Sequence, residues 1–193
     1  MPRRAQEFDV TAALRAICAD MAVRLPDLAH LHMSRVAVGL RHARHRRPYG
    51  VYATLTPLRF AEGREHEMRR GRRYRIQPLV DDSGVEYLYL LSFYVPRFLD
   101  LTLEDKLSTI IHELWHIGPR FDGDLRRHEG RCYAHGPSQR KYDAAMDRLA
   151  QSWLAADPPA HLYEFLSRNF DELRAEFGGI RGERWPTPRL APA

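Results

Sequence analysis

Thr109-Ile110-Ile111-His112-Glu113-Leu114-Trp115-His116-Ile117-Gly118 is the stretch around which the rest of the chain is read. A helix advances about 3.6 residues per turn, so side chains four apart share a face. His112 and His116 can therefore hold one metal ion between them. Glu113 stands where a carboxylate can take a proton from water held by that metal. The residues around these three are uncharged, as suits a helix packed beneath a metal rather than solvated. Thr102 with Asp105 three residues on reads as a capping box, and Gly118-Pro119 reads as a C-terminal stop. Leu103, Leu107, Ile110, Ile111 and Leu114 form the apolar face and leave the two histidines on an adjoining one. The competing bland reading is a buried helix with two hydrogen-bonded histidines and a surface glutamate.

At 193 residues the chain is long enough for one domain with a sizeable core. No apolar run approaches a membrane span, and the longest, around Tyr87 to Val95, is strand-sized. Met1 to Glu7 is charged and lacks an apolar segment, which predicts no secretory signal and a cytoplasmic protein. Cys18 and Cys132 form neither a metal-ligand pair nor a disulfide framework and read as free thiols. The net charge of +5 comes from arginine, since Lys106 and Lys141 are the only lysines. Arginines cluster in Arg41-His42-Ala43-Arg44-His45-Arg46-Arg47 and in Arg69-Arg70-Gly71-Arg72-Arg73-Tyr74-Arg75. Such clusters can grip phosphates, which makes nucleic acid a candidate partner; solvated loops and strand edges are the alternative.

Outward from the motif, Phe8 to Leu25 reads as an amphipathic helix with Val10, Leu14, Ile17, Met21 and Leu25 on one stripe. Ser34 to His42 and Tyr49 to Phe60 have strand-like alternation, and Ala61 to Arg72 reads as a loop or exposed hairpin arm. Tyr74 to Val80 is expected to pair with Val85 to Val95 across the turn Asp81-Asp82-Ser83-Gly84. Ser138 to Ala156 reads as a second long helix with Tyr142, Ala145, Met146, Leu149 and Trp153 facing inward. His161 to Phe177 reads as a third, shorter one. The expected architecture is α+β: an N-terminal helix, a small three- to four-stranded sheet, the motif helix, then C-terminal helices. Residues 1–177 form a single domain in this reading, and Gly178 to Ala193, rich in Gly, Pro and Arg, forms an extended tail.

A catalytic zinc takes three protein ligands and leaves a position for water, so a third donor is needed. Asp122, six residues after His116, matches the H-E-x-x-H-x-x-G-x-x-H/D spacing, but Pro119 stands where that pattern turns on glycine. His128 sits among arginines, and Glu164 lies on the third helix. His135, in Tyr133-Ala134-His135-Gly136-Pro137 just before the second long helix, is the best-held donor of the four. His30 with His32, and His42 with His45, read as hydrogen-bonding or solvated histidines rather than a second site.

His112-Glu113-Leu114-Trp115-His116, then Asp122-Gly123, then His135-Gly136-Pro137 with Met146 beyond, resembles the SprT-like zinc metallopeptidases and the related phage metallopeptidases. The resemblance spans Leu103 to Met146, and its H-E-x-x-H part is the specific one. It implies a zincin-like fold, Zn2+ as cofactor and a protein or peptide substrate. It also implies His112, His116 and His135 as ligands and Glu113 as general base. The sequence differs from the SprT-like pattern in the loop between His116 and His135 and in Lys141 or Tyr142 where a phenylalanine is expected. No cysteine-rich ribbon follows, and the phage-type relatives fit better.

An oxyanion donor besides zinc is also expected. Tyr133, Tyr142 and Arg131 are near in sequence; Tyr142, one turn into the second long helix, is the favoured one of the three, with core packing an equal alternative for it. Two other readings remain open. A metal-dependent endoribonuclease of the rRNA-maturation type would suit Asp122 and the arginines, although Glu113 replaces that motif's glycine. A non-enzymatic module with a structural zinc would need a closed four-ligand site and gives Glu113 no role.

Overall fold

In the computed structural model, which describes residues 7–47, 49–127 and 139–193, the chain is a mixed α+β arrangement. Among those residues it has five α-helices and three small sheets. A two-residue strand β1 (Phe8–Asp9) leads into α1 (Val10–Arg24), whose Asp9 carboxylate accepts the Ala12 N–H as N-cap. Val10, Leu14, Ile17, Cys18 and Met21 are fully buried along it, the stripe its spacing predicts. Burial pushes the Cys18 thiol up to about 12, so it behaves as a small apolar side chain.

The strands β2 (Val36–His42), β3 (Ala53–Pro57), β4 (His66–Arg69), β5 (Arg72–Ile76) and β6 (Tyr89–Val95) come next. The central sheet has the order β2-β6-β3, with β6 parallel to β2 and antiparallel to β3. This corrects the expected pairing of Tyr74–Val80 with Val85–Val95. The turn at Asp81 forms, with Gly84 N–H donating to Asp81, but the pairing around it is only an isolated bridge between Val80 and Glu86. The reason lies in the side chains. β6 carries the run Tyr89-Leu90-Leu91-Ser92-Phe93, buried on both faces, and belongs in the middle of a sheet. β5 carries exposed arginines on alternate positions and pairs instead with β4, the exposed arm, across Arg70-Gly71. Both turn residues have positive φ, as a two-residue hairpin requires.

The motif helix α2 (Leu103–Trp115) starts at Thr102, whose hydroxyl accepts the Asp105 N–H at 3.1 Å and donates to the Asp105 carboxylate. It ends with His116 as C-cap, two residues before the expected Gly118-Pro119 stop. Then come α3 (Gln139–Ala155), α4 (Ala160–Tyr163) and α5 (Phe170–Phe177). The single helix expected over His161–Phe177 is thus two, separated by a 3-10 turn at Glu164–Ser167 and an extended Arg168. Asn169 restarts the helix with a capping box to Glu172.

The stretch 178–193 docks on the rest of the chain through two short strands. β7 (Ile180–Arg181) pairs with β1, and β8 (Leu190–Pro192) pairs with β5. Between them, Glu183 accepts the Leu40 N–H and Trp185 Nε1 donates to the Val38 carbonyl. The Trp185 ring lies over Gly39, where a Cβ would come within 2.8 Å of Cδ1. One core joins α1, α2 and α3 to the central sheet, and the fully buried Trp153 donates to Asp20 at 2.8 Å, tying α3 to α1. Among the described residues, no helix is long and apolar enough to cross a membrane.

Candidate active site

Helix geometry and the β3 edge of the central sheet, which pairs with no further strand among the described residues, together build the site. On α2, Leu107, Ile110, Ile111 and Leu114 are fully buried, which fixes the rotation of the helix and turns His112 and His116 toward a cleft. Their rings lie 4.8 Å apart at 78°. The α3 face supplies Tyr142, whose ring is 5.0 Å from that of His112 and stacks beside His116 at 6.1 Å. The four expected residues that share this corner are therefore His112, Glu113, His116 and Tyr142.

Glu113 is only 8 % exposed. Burial pushes its carboxyl up to about 7, opposed by a hydrogen bond from the Leu55 backbone N–H. That bond is explained by strand register. Tyr94 N–H donates to Tyr52 and Leu58 N–H donates to Leu88, so the even positions of β3 face β6. The odd positions, Ala53 and Leu55, therefore turn their main-chain groups outward, toward α2. Burial also raises the Tyr142 hydroxyl, with the Glu113 charge second, so the phenol stays protonated at neutral pH.

Two cleft halves meet at Ala53, His112 and Glu113. One, of about 520 Å³, lies toward the N-terminal half of α2 and is walled by α3. The other, of about 430 Å³, lies toward His116 and the loop after α2, with Leu55 and Leu125 on its walls. Arg126 borders that half, its Nε donating to the Trp115 carbonyl and its guanidinium 4.2 Å over the Trp115 ring.

Asp122 is not brought to the histidines. It pairs with Arg120 at 3.0 Å and accepts the Asp124 N–H at 3.2 Å, in a loop held by Tyr89. The Tyr89 hydroxyl donates to the Asp124 carbonyl and accepts the Gly123 N–H. Gly123, at φ 90°, packs so closely on Arg59 that a Cβ would clash at 2.4 Å. Glu164 is exposed beside Phe8 and Phe177, away from the motif. His128, Arg131, Tyr133 and His135 lie outside the described residues. Among the described residues, no group of three His, Cys, Asp or Glu side chains could hold a metal ion. His30 hydrogen-bonds the Ile117 backbone, and burial lowers its pKa; His32 is exposed and meets Phe121 edge-on. Neither belongs to a second site.

The wall supplied by β3 was not expected from sequence. Its only local signal is the alternation in Val51, Ala53 and Leu55, which marks a strand without saying that its edge is open. Compared with protein-family models, with curated proteins and with solved structures, the chain shows no significant match in any of the three.

Proposed function

We propose that this chain is a zinc-dependent metallopeptidase of the SprT-like or phage type, with a zincin-like arrangement of motif helix and edge strand. The observation that carries the reading is Glu113: a buried carboxylate with raised proton affinity, beside two histidines, facing the open edge of a sheet. A structural-zinc module has no use for such a group, since a buried carboxylate is costly where it serves nothing.

The donor set fits zinc as far as it is described. Two imidazoles one helical turn apart lie on the same cleft, and His135 is the proposed third ligand. Bound there, zinc would supply Lewis acidity toward water and the scissile carbonyl. Glu113 takes the proton of the attacking water and delivers it to the leaving amine, a task suited to a buried carboxylate beside the two histidines. Tyr142, kept protonated by burial, is the proposed hydrogen-bond donor to the developing oxyanion. The outward main-chain groups of Ala53 and the Leu55 carbonyl, with the Leu55 N–H held by Glu113, offer an extended peptide a strand to pair with, which favours a polypeptide substrate over RNA.

Glu113→Gln tests the proposal. The variant should keep the zinc content of the wild type and lose peptide cleavage by at least about a hundredfold. Retained cleavage with retained zinc would sink the role of Glu113. Cleavage of RNA but not of protein would favour the endoribonuclease reading.

A further inference from the structure

The two cleft halves differ in charge. The half toward the N-terminal part of α2 carries Asp105, Asp143 and Asp147, and among the described residues no arginine or lysine lines it. All three carboxylates are on exposed residues at the rim, on α2 and α3. Asp105 is braced by the Thr102 hydroxyl at 2.9 Å and Asp147 by the Ser108 hydroxyl at 2.7 Å. The other half is walled by Val51, Leu55 and Leu125 with Arg126 and Arg127, and its one carboxylate among the described residues is Glu113. Arg127 is paired with Asp124 at 3.0 Å, and Arg126 holds its guanidinium over the Trp115 ring.

The direction of a bound chain follows from the edge strand. β3 touches the acidic half through its first residue, Ala53, and the apolar, basic half through Ala53, Thr54 and Leu55. Antiparallel addition is the more stable pairing. A peptide added that way enters over Leu55 and leaves over Ala53. Its residues before the scissile bond then lie in the apolar, basic half, and those after the bond lie among the carboxylates.

We propose that the cleft selects peptides by charge, preferring basic residues after the scissile bond and apolar or acidic residues before it. This rests on the peptidase reading. Opposite charges placed along the groove act on substrate choice and approach more than on raw affinity, so the preference is electrostatic and salt-sensitive.

The test uses the full chain loaded with zinc and a set of matched peptides bearing Arg, Ala or Glu after the bond, with cut sites read by mass spectrometry. Arg peptides should be cleaved on the order of tenfold faster in kcat/KM than Glu peptides, the scale of a few screened ion pairs. The preference should shrink at high salt, and the Asp143→Lys, Asp147→Lys double variant should reverse it. Both positions are exposed on α3, and a melting curve checks that the variant is folded. Equal or faster cleavage of Glu peptides, or basic residues selected before the bond, would overturn the inference and leave the peptidase reading intact. If no peptide is cleaved, the peptidase reading fails, and peptide binding to Glu113→Gln by fluorescence anisotropy decides the inference separately. Tighter binding of Arg peptides, lost in the double charge reversal, supports it; indifferent binding overturns it.

Discussion

Replacing Lys106 with methionine probes how the motif helix is fastened to the helices that follow it. The Lys106 side chain is 1 % exposed, and its ammonium donates to the Leu166 and Arg168 carbonyls at 2.7 and 2.8 Å. Those carbonyls sit at the end of the 3-10 turn Glu164–Ser167, where helical chains leave acceptors without partners. Methionine keeps the apolar stem and removes both donors. A hydrogen bond to a charged group contributes about 1.5–3 kcal/mol, so the two together are worth about 3–6 kcal/mol. Against that stands burial of the ammonium, which lowers its pKa from 10.5 to about 8. The shift corresponds to at most about 3 kcal/mol, reduced by solvent at the Arg168 end. The net expected loss is about 2 kcal/mol, a fall of about 4–8 °C in Tm for a chain of this length.

The sign with pH is also fixed. Because the folded pKa is depressed, the unfolded chain holds the extra proton between the two values, and wild-type stability gains as pH rises through that window. Urea unfolding followed by circular dichroism should show the gap between wild type and variant widening from about pH 8 to about pH 10.5. Titration of Cys18 and Tyr89 is common to both proteins and cancels in the difference. A variant as stable as the wild type, or a gap constant with pH, would refute the reasoning.

Three further outcomes are expected. His135→Ala should abolish stoichiometric zinc binding, measured by elemental analysis beside the wild type; undiminished zinc would place the third ligand elsewhere. Tyr142→Phe should lower kcat by about tenfold or more with little change in KM, the pattern of a donor used in the transition state; an unchanged kcat would leave Tyr142 a packing residue. Gly39→Ala should cost about 1–3 kcal/mol in chemical denaturation, because its Cβ would press on the docked Trp185 ring. A neutral result would show that Trp185 does not rest there in solution.

Sequence carried the helices well where a repeat of buried side chains coincides with a cap. Thr102 marks the start of α2 as read, while α1 starts at Val10 behind the Asp9 cap, two residues after the Phe8 start that the apolar stripe suggested. The break between α4 and α5 was readable in principle, since Asn169 and Glu172 stand at capping-box spacing. It was obscured by the apolar spacing of Leu162, Phe165 and Leu166, which continues a helical pattern across the interruption. Strand partners were less legible, because a good turn at Asp81-Gly84 says nothing of how far pairing extends beyond it. The burial needs of Tyr89–Phe93 settled that instead. In the site, His112, His116 and Glu113 share a corner because helix spacing alone demands it. Separating Asp122 from them took contacts from Arg120 and Tyr89, which no local spacing encodes.

The docking of Trp185 and Glu183 has a consequence for how molecules of this protein meet. Sheet edges invite strands from neighbouring copies, and a three-stranded sheet has two of them. Along β2, the Val38 carbonyl and the Leu40 N–H already have partners within the chain. Among the described residues, the other edge of this sheet, β3, pairs with no further strand and lies beside Glu113, which holds the Leu55 N–H. An unfolded segment of a second copy that adds itself there arrives as a substrate would. If the chain is a peptidase as proposed, association through this edge in concentrated solution would end in self-digestion rather than in a growing sheet, and Glu113→Gln would be the form that aggregates.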